Sequence, residues 1–128
     1  MGIAGELTKE QTELLFTHLP LGLGFSVADE EDIVRFWAGE GFSSCNPRLI
    51  GRTLYGCHPK RAHAAIESLL ADLKSGKKDE VDTIEHGTNG AERIIYTALR
   101  DADGAYRGVL ETVVPIDKTG PAGAAGEA

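Results

Sequence analysis

Positive charge is scarce in this chain. Thirteen Lys and Arg stand against twenty Asp and Glu, for a formal charge of -7 and an isoelectric point near 5.0. That balance works against the attraction to phosphate that supplies most non-specific nucleic-acid affinity, so neither nucleic acid nor an anionic membrane is an expected partner. Long apolar runs are also missing: none approaches the roughly 20 residues needed to cross a bilayer. The opening Met1-Gly2-Ile3-Ala4-Gly5-Glu6 lacks the basic and apolar regions of a secretory leader, Glu6 stands where a myristoylation signal favours Ser or Thr, and the chain has no prenylation box at its end. A cytoplasmic location is expected.

Cysteine is nearly absent, with Cys45 and Cys57 alone. Two thiols make no disulfide framework, and no Cys-x-x-Cys or spaced His pair completes a four-ligand zinc site. Both are expected to be reduced. Enzyme signatures are lacking too. Gly22-Leu23-Gly24 has neither the third glycine nor the following helix of a dinucleotide fingerprint, and there is no phosphate-binding Gly-Lys-Ser/Thr loop. Ser43-Ser44 beside Cys45 has no identifiable base or oxyanion donor. The acidic run Asp29-Glu30-Glu31-Asp32 reads as a solvated turn, since consecutive residues there point in different directions.

What is present suits one domain. A chain of 128 residues with 41% apolar content can fill one core between two layers. Residues 1–118 are assigned to that domain. Residues 119–128, all small or polar apart from Pro121, are assigned to a flexible tail. Thr8-Lys9-Glu10-Gln11 reads as a capping box opening a helix that runs to about His18, with Leu14, Leu15, His18 and Leu19 on one side. Leu21 to Val27 and Ile33 to Trp37 read as a hairpin. Residues 38 to 59, rich in Gly and Pro, predict short turns. Pro59 suits the start of a helix over Lys60 to Lys74, closed by Gly76. Glu80 to His86, Ala91 to Arg100 and Ala105 to Ile116 then predict three strands joined by Gly87-Thr88-Asn89-Gly90 and Asp101-Ala102-Asp103-Gly104. The order specifies an α+β domain: a five-stranded antiparallel sheet, helices on one face, and an N-terminal helix.

Three segments carry a family resemblance. Ile33-Val34-Arg35-Phe36-Trp37 resembles the second strand of PAS domains, and Asn46-Pro47-Arg48-Leu49-Ile50-Gly51-Arg52 resembles the approach to their Gly-Arg step. Asp101-Ala102-Asp103-Gly104-Ala105-Tyr106-Arg107-Gly108 is similar to their last hairpin. The likeness spans about residues 7 to 117. The continuation through Cys57-His58-Pro59 resembles a bacterial subgroup whose members are often attached to helical or hemerythrin-like domains. The resemblance implies a sensory module in signal transduction that binds a small molecule or a signalling protein and forms a homodimer through its N-terminal helix and sheet. It implies no catalysis of its own, although a small enzyme of unknown reaction is a further alternative.

Within that frame Trp37, Phe42, Leu54, Tyr55, His63, Ile66 and Leu70 are the expected lining of a pocket between sheet and long helix. His63 shares a helical stripe with Ile66, Leu70 and Leu73 and should face that pocket. Haem-binding PAS domains take their axial histidine from this helix, so the resemblance makes His63 a haem-ligand candidate, with His58 the alternative. A neutral imidazole suits haem iron because it brings no net charge into an apolar cavity. A half-buried histidine bonded to backbone explains the same residue without a cofactor. Flavin photochemistry is not expected, because Thr53-Leu54-Tyr55 follows the Gly-Arg step where a reactive cysteine segment belongs, and Cys57 comes too late.

Overall fold

A computed structural model describes residues 2–39, 47–87 and 90–117. Helix α1 spans Lys9–Thr17 and opens as the sequence predicts. Thr8 Oγ1 accepts from the Gln11 amide at 3.0 Å, and Gln11 Oε1 accepts from the Thr8 amide at 2.9 Å, which satisfies two amides that a helix start leaves without partners. Its leucines are left partly wet, as a lone N-terminal helix implies. Leu14 and Leu15 are 50% and 52% exposed, and the inward contact is made by Phe16, whose ring stands edge-on to Phe36 at 5.0 Å. The helix meets the sheet at one edge strand, so a narrow stripe around Phe16 is covered while the leucines stay wet.

Strands β1 (Gly24–Ala28), β2 (Val34–Gly39), β3 (Glu80–Gly87), β4 (Gly90–Arg100) and β5 (Tyr106–Asp117) form one sheet in the order β2-β1-β5-β4-β3. All four pairings are antiparallel. The predicted hairpin and meander are both present, and β5 pairs back onto β1 at the centre. Helix α2 (His63–Ser75) lies on one face and buries Ile66, Leu70 and Leu73 against Ala28, Val34, Ile94, Val109 and Val113. At about 25 cal/mol per Å², full burial of each large aliphatic side chain stabilises the fold by roughly 1.5–3 kcal/mol. Gly76 ends the helix at φ 85°, a left-handed conformation open to glycine at little steric cost. The helix begins later than the pattern suggests: Lys60–Ala62 forms a separate 3₁₀ turn after Pro59, tightening the entry before α-helical bonding starts at His63.

Residues Pro47–Leu49 and Leu54–Cys57 form two more 3₁₀ turns, in line with the short elements predicted for this region. Phe42, Cys45 and the expected tail over residues 119–128 lie outside the described residues. Among the described residues, no helix is long and apolar enough to cross a membrane.

The acidic turn departs from its reading as solvated loop. Asp29 Oδ1 accepts from the Glu31 and Ile33 amides and its Oδ2 from Arg35 Nε at 2.8 Å, contacts that hold its carboxyl below the ordinary range, the Arg35 bond foremost. Asp32 turns inward. It is 8% exposed, sits at φ 66°, and accepts from Lys74 Nζ at 2.8 Å. A left-handed position that suits Asp, next to the lysine of the last turn of α2, draws one of four carboxylates out of solvent.

Candidate functional site

Register in the sheet places a row of unlike residues across its inner face. Trp37 pairs with Ser26, Ser26 with Glu111, Glu111 with Tyr96, and Tyr96 with Val81. Side chains of directly paired residues share a face, so β2, β1, β5, β4 and β3 each contribute one member. Aliphatic residues flank the row on neighbouring registers, with Val113 paired to Ile94 on one side and Val109 to Ala98 on the other. Glu111 therefore stands in the middle of the apolar core, 2% exposed.

Its carboxyl is met from three directions. Ser26 Oγ donates to Oε1 at 3.3 Å, Tyr96 contributes a side-chain hydrogen bond, and His58 Nε2 lies 3.9 Å from Oε2. Burial disfavours the charged form and pushes the Glu111 carboxyl up to about 7. The hydrogen bonds from Ser26 and Tyr96 pull the other way, while the negative charges of Glu85 and Glu92 add to the rise.

His58 comes from the segment above the sheet. It follows the Leu54–Cys57 turn, and its ring reaches down to Tyr96, with Nε2 3.2 Å from the phenolic oxygen. Nδ1 lies 3.2 Å from the Leu54 carbonyl. A carbonyl can only accept, so Nδ1 carries a proton. The side chain is 5% exposed and stitches its own turn to the sheet.

His63 stands at the start of α2, half-buried, with its ring edge-on to Tyr55 at 5.7 Å and Nε2 3.2 Å from the His58 carbonyl. By the same reasoning Nε2 is the protonated nitrogen, and it is engaged with backbone. In this arrangement both ring nitrogens of His58 and Nε2 of His63 are engaged within the protein, so haem ligation through any of these three would require one of these bonds to break. Among the described residues, no cluster of three or more His, Cys, Asp or Glu could hold a metal ion.

Of the residues expected to line a pocket, Leu54, Ile66 and Leu70 are brought together in the core, with Tyr55 packed against them. Trp37 begins the polar row. The sequence reading missed Ser26, Tyr96 and Glu111, although a signal existed. Leu110-Glu111-Thr112-Val113 sets a carboxylate at a position whose alternation partners, Val109 and Val113, are buried.

On the opposite face, α1 and β2 enclose an open groove of about 430 Å³ lined by Thr12, Phe16, Phe36 and Ala38 among others. Beyond it Phe25, Val27, Ile95, Leu110 and Val114 form a half-buried apolar surface, with Ile84 58% exposed at its far side.

The family model described as a PAS domain matches residues 13–117, so the chain belongs to the PAS domain family. Among solved structures it is similar to a C-terminal domain from Streptococcus mutans, with 26% identity, a TM-score of 0.76, and 91% of this chain and 92% of that one covered. It is also similar to a sensory box sensor histidine kinase structure from Vibrio cholerae, at 8% identity and TM-score 0.58, covering 84% and 90% of the two chains. A third likeness, 22% identical with a TM-score of 0.58, is to Vibrio cholerae VqmA bound to DPO, where the match covers 85% of this chain and 58% of that one. Among curated proteins no sequence matches.

Proposed function

We propose that the chain is a regulatory sensory module that reads a small molecule at its inner polar row and works as a homodimer, without catalysing a reaction of its own. One observation carries this reading: a carboxyl group 2% exposed at the centre of an otherwise aliphatic core, joined to a serine, a tyrosine and a histidine. Stability does not call for it, because burying an ionisable group is unfavourable and apolar packing of the same volume is often better. A cluster of convergent polar groups in an apolar wall is what orients a small ligand. VqmA, a structural neighbour of the same fold, is a ligand-bound case.

Homodimerisation is supported by the half-exposed Leu14 and Leu15 on α1 and the apolar outer face beside it, which together leave a surface larger than scattered leucines would. Ligand and dimer are joined in this reading by a shift between two arrangements, no larger than the ligand's preference for one of them.

The test is a thermal-melt screen of small polar heterocycles and amines on the wild-type chain and on Ser26→Ala and Tyr96→Phe. A ligand at a hundred times its Kd raises stability by about 2.7 kcal/mol, well within detection. Stabilisation of the wild type that is lost in both variants supports the reading; equal stabilisation in all three, or none in any, counts against it.

A further inference from the structure

We propose that Glu111, Tyr96 and His58 share a single mobile proton and form a latch that holds the 54–63 segment on the sheet while that proton is present. His58 Nδ1 donates to the Leu54 carbonyl at 3.2 Å, so a neutral ring has a bare Nε2 facing the Tyr96 hydroxyl at 3.2 Å. Tyr96 has one proton and two neighbours that can accept it, His58 Nε2 and the Glu111 carboxyl.

Two arrangements satisfy every group. In one, the protonated Glu111 carboxyl donates to Tyr96, and Tyr96 donates to His58. In the other, His58 carries the extra proton and donates to Tyr96, which donates to the Glu111 carboxylate. They differ by a proton moved from the Glu111 oxygen to His58 Nε2 through the phenol, with no change in total charge. Removing the proton leaves a carboxylate and a bare imidazole nitrogen competing for one phenolic hydrogen, with a buried negative charge beside them.

The surroundings leave that charge uncompensated. Ser26 on β1 gives Glu111 one neutral bond, Trp37 on β2 extends the row, and Glu85 on β3 and Glu92 on β4 both oppose ionisation. From above, His63 on α2 uses its Nε2 on the His58 carbonyl, so the same histidine that senses the proton also anchors the start of α2. Release of His58 therefore loosens the end of the Leu54–Cys57 turn and the entry to α2 together, while the Leu54 amide stays on Asp32. The latch needs no ligand, so its failure would leave the ligand reading standing.

Hydrogen exchange of amides 54–63, corrected for intrinsic rates, tests it on the ligand-free chain. Opening exposes Glu111 to water and restores an ordinary carboxyl. The freed imidazole keeps the proton below the ordinary histidine range, so the opening constant should be level between the ordinary carboxyl and histidine ranges and rise above the latter until the latch's own proton is lost. Glu111→Gln keeps the shape without the shared proton, so its freed imidazole takes up a proton that the closed segment lacks, and opening should rise as pH falls through the ordinary histidine range. Tyr96→Phe loses hydrogen bonds at the same point, so carbon-13 shifts of the Glu111 carboxyl and nitrogen-15 shifts of the His58 ring give a readout independent of folding. Both should move in one coupled titration in the wild type and separately in Tyr96→Phe. A Glu111 carboxyl that titrates in the ordinary range, the same pH profile of opening in Glu111→Gln as in wild type, or a His58 ring blind to the Glu111 titration would each overturn the proposal.

Discussion

Lys74 Nζ sits 2.8 Å from Asp32 Oδ2, tying the last turn of α2 to the turn between β1 and β2. The two residues are 42 positions apart, and Asp32 also accepts the Leu54 amide through its backbone oxygen at 2.7 Å. One aspartate thus fixes hairpin, central segment and helix. Its replacement by alanine removes the partner of Lys74 and puts a Cβ without a compensating side-chain bond at φ 66°. Asp32→Ala should lower stability by about 2–3 kcal/mol in urea unfolding, with Asp32→Asn closer to wild type because Asn tolerates the left-handed region. Equal losses in the two variants would show that backbone conformation contributes little.

Stability should respond to pH with two opposite slopes. The Glu111 carboxyl is raised in the folded state to about 7, from 4.5. The folded chain therefore binds the proton more tightly, and stability from this group is full below about pH 4.5 and falls as pH rises to about 7, by about 3 kcal/mol. Asp29, Asp82 and Asp101 are lowered by their bonds to Arg35, to Arg93, and to backbone amides with Arg107. Their contribution is present above the unfolded carboxyl range and is lost as pH falls through their folded values, a small effect for exposed groups. Denaturant midpoints for Glu111→Gln should exceed wild type most at alkaline pH; a constant difference across pH would contradict the assignment.

Glycine positions differ sharply in tolerance. A Cβ at Gly108 would lie 2.3 Å from the Ala28 carbonyl oxygen, at φ 144°. At Gly104, φ is 85° and nothing lies within 4 Å. Gly108→Ala should therefore destabilise by more than about 3 kcal/mol because β5 must move away from β1, whereas Gly104→Ala should lose roughly 1–2 kcal/mol from backbone strain alone. Thermal melts of the pair would check the ranking.

Charge placed on the exposed stripe of α1 should separate assembly from folding. Leu14→Glu with Leu15→Glu leaves Phe16 against Phe36 and should unfold nothing, since both leucines are half-exposed. Light scattering should report a dimer for the wild type and a monomer for the double variant, with unchanged far-ultraviolet dichroism. A wild-type mass that stays monomeric at every concentration would end the dimer reading.

The fold was largely legible because periodicity and turn chemistry agreed along the chain. Thr8 and Gln11 form the predicted capping box, Gly76 ends α2, and Asp101 organises the last hairpin by accepting the Asp103 and Ala105 amides. The candidate site was not, because its logic is cross-strand. Ser26, Tyr96 and Glu111 lie far apart in sequence, and each alone reads as a solvent-facing polar residue or an ordinary strand aromatic. Register makes them neighbours. His58 was noticed for its place beside Cys57 and Pro59, whereas its reach to Tyr96 depends on how the preceding turn folds. The contact of Phe16 with Phe36 was not legible either, because a stripe on a short helix does not say which of its residues the edge strand will meet.

Trp37 and Phe36 are neighbours on β2 and point to opposite sides, one toward the polar row, the other toward the ring of Phe16 on α1. Interior and exterior are thus separated by a single peptide unit in an edge strand paired with β1. A guest that tilted the indole would rock the strand about its pairing with β1 and lift the phenyl ring beneath the helix. The border of the sheet then acts as a seesaw, with a fulcrum one residue wide.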